Sequence, residues 1–519
     1  MLSWELLPGE SWRMFLRENE PLKTLGQNGK KGLGIGSQGL CLERGAPLHF
    51  PASTCFERPC DYHPAKLCRV WDRASGFIGT GTRQGLRVRN GERRNAHMLC
   101  PPPLVLSANH PASLMNDESA LQQTATLTAA GADAEAARRR IRVVDLLRGL
   151  VLALMVLDHT RDFFHVQAFE FSPTDPEKTT LMLFATRWVT HLCAPTFVFL
   201  AGTSIYLQRE NGKSRSELAR FLLSRGLWLI ALELTVISFA FNFALPFAFM
   251  QVIWAIGGSM MLMAALIYLP ARAVLLIGMV IVAGHNALAS VDAASFGPFA
   301  PVWALLMQLG EPPFGPGLVA YPLIPWFGIM CLGYGCGHVF VQTDATRRRT
   351  LALLAAACLL VFLVLRLLNG YGDQAPWSQQ TDSVHTFISF INVSKYPPSL
   401  LYVLATLGVS LGLSLGLERL RGWPERALLA YGRTPLFTYL LHIYLIHGLA
   451  VLVGLAQGVP PSDFINFLGD TSRLAKAHWG VSLPMVYLIW VAILVALYPC
   501  ARWYAALKVR RRHPLLSYL

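Results

Sequence analysis

From residue 143 onward the chain is a succession of apolar runs separated by short polar connections. Ten such runs fall near 146–167, 183–206, 219–241, 248–269, 272–290, 320–341, 350–368, 397–417, 433–456 and 482–506. A run of about 20 residues is long enough to cross the hydrocarbon core as a helix. The pattern therefore predicts an all-α fold, a polytopic transmembrane bundle of about ten helices over residues 138–510.

The connections alternate in charge. RRRIR at 138–142, RENGKSRSELAR from 209, RRR at 347–349, ERLRGWPER from 418 and KVRRR from 508 are basic. EFSPTDPEK from 170, residues 291–319, the loop around DQAPWSQQTD and PPSDFINFLGDTS from 460 are acidic or neutral. Basic loops stay on the cytoplasmic side, so both termini are expected there, with 511–519 as a cytoplasmic tail. Composition supports a membrane protein: with 53% hydrophobic and 15% charged residues, 519 residues could not cover a soluble surface. The net charge of +14 is then a topology signal, and no nucleic-acid partner is expected.

Residues 1–137 show no such pattern and are expected to be a disordered or spurious extension. The polar MNDESALQQTATLTAA points to a native start near Met115. GIGSQG (Gly34, Gly36, Gly39) has no strand before it and is not expected to bind a dinucleotide, and Cys55, Cys60 and Cys68 fit no zinc spacing.

The first apolar run ends in LMVLDHTRDFFH, residues 154–165, with Asp158, His159, Arg161, Asp162 and His165. Orientation places these groups in the outer half of the bundle. Arg187 and His191 of the second run, His285, Lys395 and Tyr396, and His442 and His447 of the ninth fall at similar depth. Ionisable groups inside a membrane are costly, so they face the bundle interior and mark function. Asp158, Asp162 and His165 share one helical face, with His159 one position off it. A carboxylate beside an imidazole orients it and stabilises its protonated form, which favours His159 held by Asp158 or Asp162 as a general base, with His165 as the alternative. Snorkelling to the headgroups is the competing explanation for Arg161 and Asp162. No Cys–His zinc spacing is present, and no metal is expected.

Three blocks, RIRVVDLLRGLVLALMVLDHTRDFFH, HLCAPTFVFLAGTSIYL and YPLIPWFGIMCLGYGCG, resemble the bacterial branch of the heparan-alpha-glucosaminide N-acetyltransferase catalytic-domain family, over roughly 138–510. GRTPLFTYLLHIYLIH at 432–447 resembles a helix found more widely in membrane acyltransferases. The resemblance implies an enzyme that takes an acetyl or other acyl group from cytoplasmic acyl-CoA and delivers it to a sugar amine or hydroxyl on the far side. In animal relatives an asparagine near the end of the first core helix assists a downstream histidine. Asp158 or His159 stands at the asparagine position here, and the spacing to His165 is shorter.

On this basis His159, Asp158, His165 and Asp162 are the expected catalytic residues, and Arg161, Arg187, His191, Ser204 and His442 are expected to contact substrate. Ser204, Thr203 or an Arg side chain would donate to the oxyanion. Arg148, beside Gly149, and Arg433 would hold the polyanionic CoA, with Arg225 a further candidate for which the positive-inside signal is at least as good an explanation. Expected partners are the bilayer, acyl-CoA, a glycan-like acceptor and, as one option, a second copy of the chain, in a bacterial inner membrane. A proton-coupled transporter using the same Asp/His cluster is the alternative. The small residues of FVFLAGTS are assigned to helix packing, Asn242 and Gln251 to interhelical hydrogen bonds, and Pro325 and Trp326 to a break or kink in the sixth helix.

Overall fold

The computed structural model describes residues 2–6, 12–16, 142–468, 471–511 and 516. The expected start at Met115, the GIGSQG fragment, Cys55, Cys60 and Cys68, and most of the expected tail lie outside these residues. Leu2–Leu6 (β1) and Trp12–Leu16 (β2) pair antiparallel, an element the apolar pattern does not signal.

All ten apolar runs are helical. They are α1 (142–164), α2 (Leu181–Glu210), α3 (Arg215–Asn242), α4 (Val252–Leu266), α5 (Ala271–Leu288), α6 (Leu323–Val341), α7 (Asp344–Leu368), α8 (Leu400–Leu417), α9 (Pro435–Ala456) and α10 (Leu483–Arg511). Eight of them, all but α1 and α4, are long and apolar enough to cross a membrane, so the chain is an integral membrane protein. The length of α1 suffices, but it carries Arg142, Asp145, Arg148, Asp158, Arg161 and Asp162. The 15 residues of α4 span only about 22 Å.

What precedes α4 shows why it can be short. Backbone that leaves the helix at membrane depth must find hydrogen bonds within the protein. Ala248–Met250 (β3) pairs in parallel with Gly317–Val319 (β4), and Ser238 Oγ accepts from the Phe249 N–H at 2.9 Å. The carboxylate of Glu233, wholly buried in a π-helical turn of α3, accepts from the Gln251 N–H at 3.0 Å and so caps the start of α4. Glu233→Ala should orphan that N–H and destabilise the fold by about 1–3 kcal/mol, read as a lower thermal midpoint in detergent.

Prolines set two further breaks. Pro195 cannot bond back to the His191 carbonyl, and α2 is interrupted at His191–Leu192. The freed His191 carbonyl accepts instead from the Tyr402 hydroxyl of α8 at 2.9 Å. Pro435 starts α9 afresh, so Arg433 ends a separate helix, Trp423–Arg433, where one continuous run was expected. Pro325, by contrast, sits in the first turn of α6, where its missing N–H costs nothing, and Trp326 is fully buried against Tyr321. The expected break of the sixth helix is absent for that reason.

Two close approaches hold the bundle together. A Cβ on Gly202 or Gly333 would lie 2.1 Å from the Met330 oxygen or 1.9 Å from the Phe199 oxygen, so α2 and α6 touch backbone to backbone. Gly149 meets Leu428 in the same way, and Gly432 meets Asp145. Gly149 therefore serves packing of α1 on the Trp423–Arg433 helix and leaves no room there for a ligand.

Candidate functional site

Asp158 stands on α1 at the centre of a buried ion cluster. Arg187 Nη1 of α2 lies 2.9 Å from both carboxylate oxygens, and Arg161 Nη2 lies 3.0 Å from one. The Thr190 hydroxyl donates to the same carboxylate at 2.7 Å, and Lys395 Nζ stands 4.0 Å away. A carboxylate can be buried only with such compensation, and its lone pairs are used up by it. The expectation that Asp158 or Asp162 holds His159 is thereby corrected: Asp158 ties α1 to α2, and Asp162 pairs with Arg161 at a half-exposed position.

His159 turns the other way. Its Nδ1 lies 2.8 Å from His442 Nε2 of α9, the two rings being nearly parallel at 5.0 Å. His442 Nδ1 in turn faces the Thr438 carbonyl at 3.2 Å. A carbonyl only accepts, so Nδ1 of His442 carries the proton and its Nε2 accepts from Nδ1–H of His159. This tautomer leaves Nε2 of His159 with a lone pair and, among the described residues, no hydrogen-bond partner. Phe241 and Tyr439 meet the ring edge-on at 5.2 and 6.3 Å and fix its plane.

His159 lines a cavity of about 260 Å³ together with Asp158, Asp162, Arg187, Lys395 and Tyr396. Aromatic rings of Phe163, Phe169, Phe241, Phe249 and Phe467 complete its walls, with Gln251, Leu468 and Thr471. The loop carrying Phe467 is pinned by Asn242, whose Oδ1 accepts from Leu468 N at 2.8 Å and whose Nδ2 donates to Asn466 Oδ1 at 3.1 Å. Asn242 thus bonds a loop, not a neighbouring helix. Burial raises the Tyr396 phenol, but the adjacent Lys395 and Arg187 cations outweigh it and hold the phenol below its ordinary pKa.

A second cavity of about 250 Å³ lies toward the Arg142 end of α1, lined by Arg148, Ser204 and Arg225 at its polar part. Phe197, Ile253, Ile256, Met260 and Leu436 form its apolar part. Met155 and Val252 line both cavities, and they form the wall between them. Arg148 is steered by Asp145 at 3.0 Å and by Ser204 Oγ at 2.9 Å.

Several expected residues fall elsewhere. His165 lies beyond the end of α1, bridging Val481, and neither it nor His191, packed on Tyr402, lines either cavity. Arg161 is buried behind Asp158 and lines neither. His442 is the support of His159 and likewise lines neither cavity. Ser204 donates to the Leu200 carbonyl and Thr203 to Phe199 and Gly333, so neither hydroxyl is free for an oxyanion. The Arg433 side chain is 59% exposed, 3.9 Å from Asp145 and off the cavity wall, whereas Arg225, which the positive-inside signal explained equally well, is on it. Glu233, an isolated acid in an apolar run, had a visible signal. Phe467, Leu468 and Thr471 had none.

The fold and site define a class: a polytopic integral membrane protein with a charged, imidazole-bearing interior between two cavities. Residues 140–367 match the family model described as heparan-alpha-glucosaminide N-acetyltransferase, catalytic, so the likeness read from the sequence is shown over that segment. The matched segment is shorter than the 138–510 expected; it includes Arg148, Asp158, His159 and Arg187 and ends before Lys395, Tyr439 and His442. No curated protein matches the sequence.

Proposed function

We propose that the protein is a membrane acyltransferase that takes an acetyl or other acyl group from cytoplasmic acyl-CoA and passes it to a sugar amine or hydroxyl on the opposite side. The observation that carries this reading is the lone pair of His159 Nε2, held by His442 at the wall of one cavity, next to the partition that separates it from another lined by arginines. The family match over 140–367 supports the donor as acetyl-CoA.

The acceptor enters the His159 cavity, and His159 Nε2 takes its proton as its nitrogen or oxygen attacks the thioester carbonyl. A C–N or C–O bond forms, the C–S bond breaks, and the proton passes from His159 to the departing sulfur. His442 stabilises the imidazolium by accepting from Nδ1, the role a carboxylate has in a hydrolase triad. Arg148 and Arg225 meet the phosphates of the donor, and the apolar cavity takes its pantetheine arm. The basic connections lie at the Arg148 end of the bundle, which supports reading that end as cytoplasmic. We place the protein in a bacterial inner membrane with both termini cytoplasmic.

Equilibrium binding of radiolabelled acetyl-CoA to purified protein tests the donor assignment. Arg148→Ala should weaken binding by about 10–100-fold, the loss of a charge-assisted contact. Absence of saturable binding by the wild type would sink the proposal.

A further inference from the structure

The reaction needs a donor for the oxygen of the tetrahedral intermediate, and the two hydroxyls of α2 that suited it are spent on carbonyls. Tyr439 of α9 remains. It lies one turn before His442, its ring meets His442 at 5.3 Å and His159 at 6.3 Å, and it lines the Arg148 cavity. The residue is 2% exposed, and its hydroxyl is buried with no hydrogen-bond partner among the described residues. Phenylalanine would fill the same space without the cost of desolvating a hydroxyl, and the unpartnered hydroxyl is open to a ligand oxygen as its acceptor. Of the two cavities Tyr439 lines only the one with Arg148, beside Leu436, which puts the residue on the Arg148 side of the histidine pair. Gln251 also has an unpartnered amide, but it lines the His159 cavity, where the acceptor enters.

We propose that Tyr439 is a catalytic residue whose hydroxyl donates a hydrogen bond to the acyl carbonyl oxygen of the donor thioester at the Met155–Val252 partition. The inference rests on the acyltransferase reading above. The acyl-pantetheine arm passes through the Arg148 cavity until its carbonyl meets the phenol. As the acceptor attacks, the carbonyl π electrons move onto that oxygen and the hydrogen bond shortens. Collapse of the intermediate restores the carbonyl, breaks C–S and releases the thiol with the proton brought by His159. Tyr439 keeps its own proton throughout.

The test is steady-state kinetics of Tyr439→Phe against wild type in nanodiscs, with acetyl-CoA and an amino sugar, beside thermal unfolding of both. The expected result is a kcat lower by about 10²–10³-fold with KM for acetyl-CoA within about twofold and an unchanged or higher thermal midpoint. A Tyr439→Phe variant with wild-type kcat, or one whose lost rate tracks lost folded protein, overturns the inference while leaving the acyltransferase reading intact. Wild-type protein that transfers no acyl group overturns that reading, and this inference with it.

Discussion

His159→Ala should lower the rate of acyl transfer by about 10²–10⁴-fold, the range for removal of a general base, without weakening acetyl-CoA binding. The separation follows from the two cavities: His159 lines only the one without Arg148 and Arg225. His442→Gln should cost less, because a glutamine carbonyl can still accept from His159 Nδ1–H although its amide cannot repeat the bond to Thr438. His165→Ala should be close to wild type, since His165 lines neither cavity. Single-turnover rates of the three variants check the order, and a His165→Ala rate as low as that of His159→Ala would reverse the assignment of the base.

Asp158→Ala should produce the largest loss of stability, about 3–5 kcal/mol, because it leaves Arg187 buried without its ion-pair partner and Arg161 with only the half-exposed Asp162. Much of that cost is the orphaned Arg187 guanidinium, not the lost attraction. The double variant Asp158→Ala/Arg187→Met should therefore recover part of the stability that the single variant loses. Thermal unfolding in detergent and the yield of monodisperse protein measure both. A single variant as stable as wild type would remove Asp158 from its place as the tie between α1 and α2.

The ten helices are legible because an apolar run of about 20 residues has few alternatives in a membrane, and hydropathy reports it directly. The breaks are legible only in hindsight: Pro195 and Pro435 are plain in the sequence, but that the freed His191 carbonyl meets Tyr402 depends on packing. Side-chain partners are less legible than helices. Helical spacing sets Asp158 near His159, yet backbone adjacency points the two side chains to different neighbours, and His159 pairs with a residue 283 positions away. The same applies to Ser204, whose hydroxyl looked free until the Leu200 carbonyl one turn back claimed it. Glu233 was readable as a lone acid in an apolar run, but its use as a cap for α4 follows from a π-helical turn that no local pattern announces.

The proposed reaction carries an acyl group from one face of the bilayer to the other by way of His159. Proteoliposomes with the protein in known orientation, acetyl-CoA radiolabelled in the acetyl group at the face bearing the basic loops, and an amino sugar sealed at the opposite face test it most directly. The expected result is labelled N-acetyl sugar in the compartment that never held acetyl-CoA, one free thiol released per product, and neither with His159→Ala. Labelled sugar formed only when donor and acceptor share a compartment, or formed equally by His159→Ala, would contradict it.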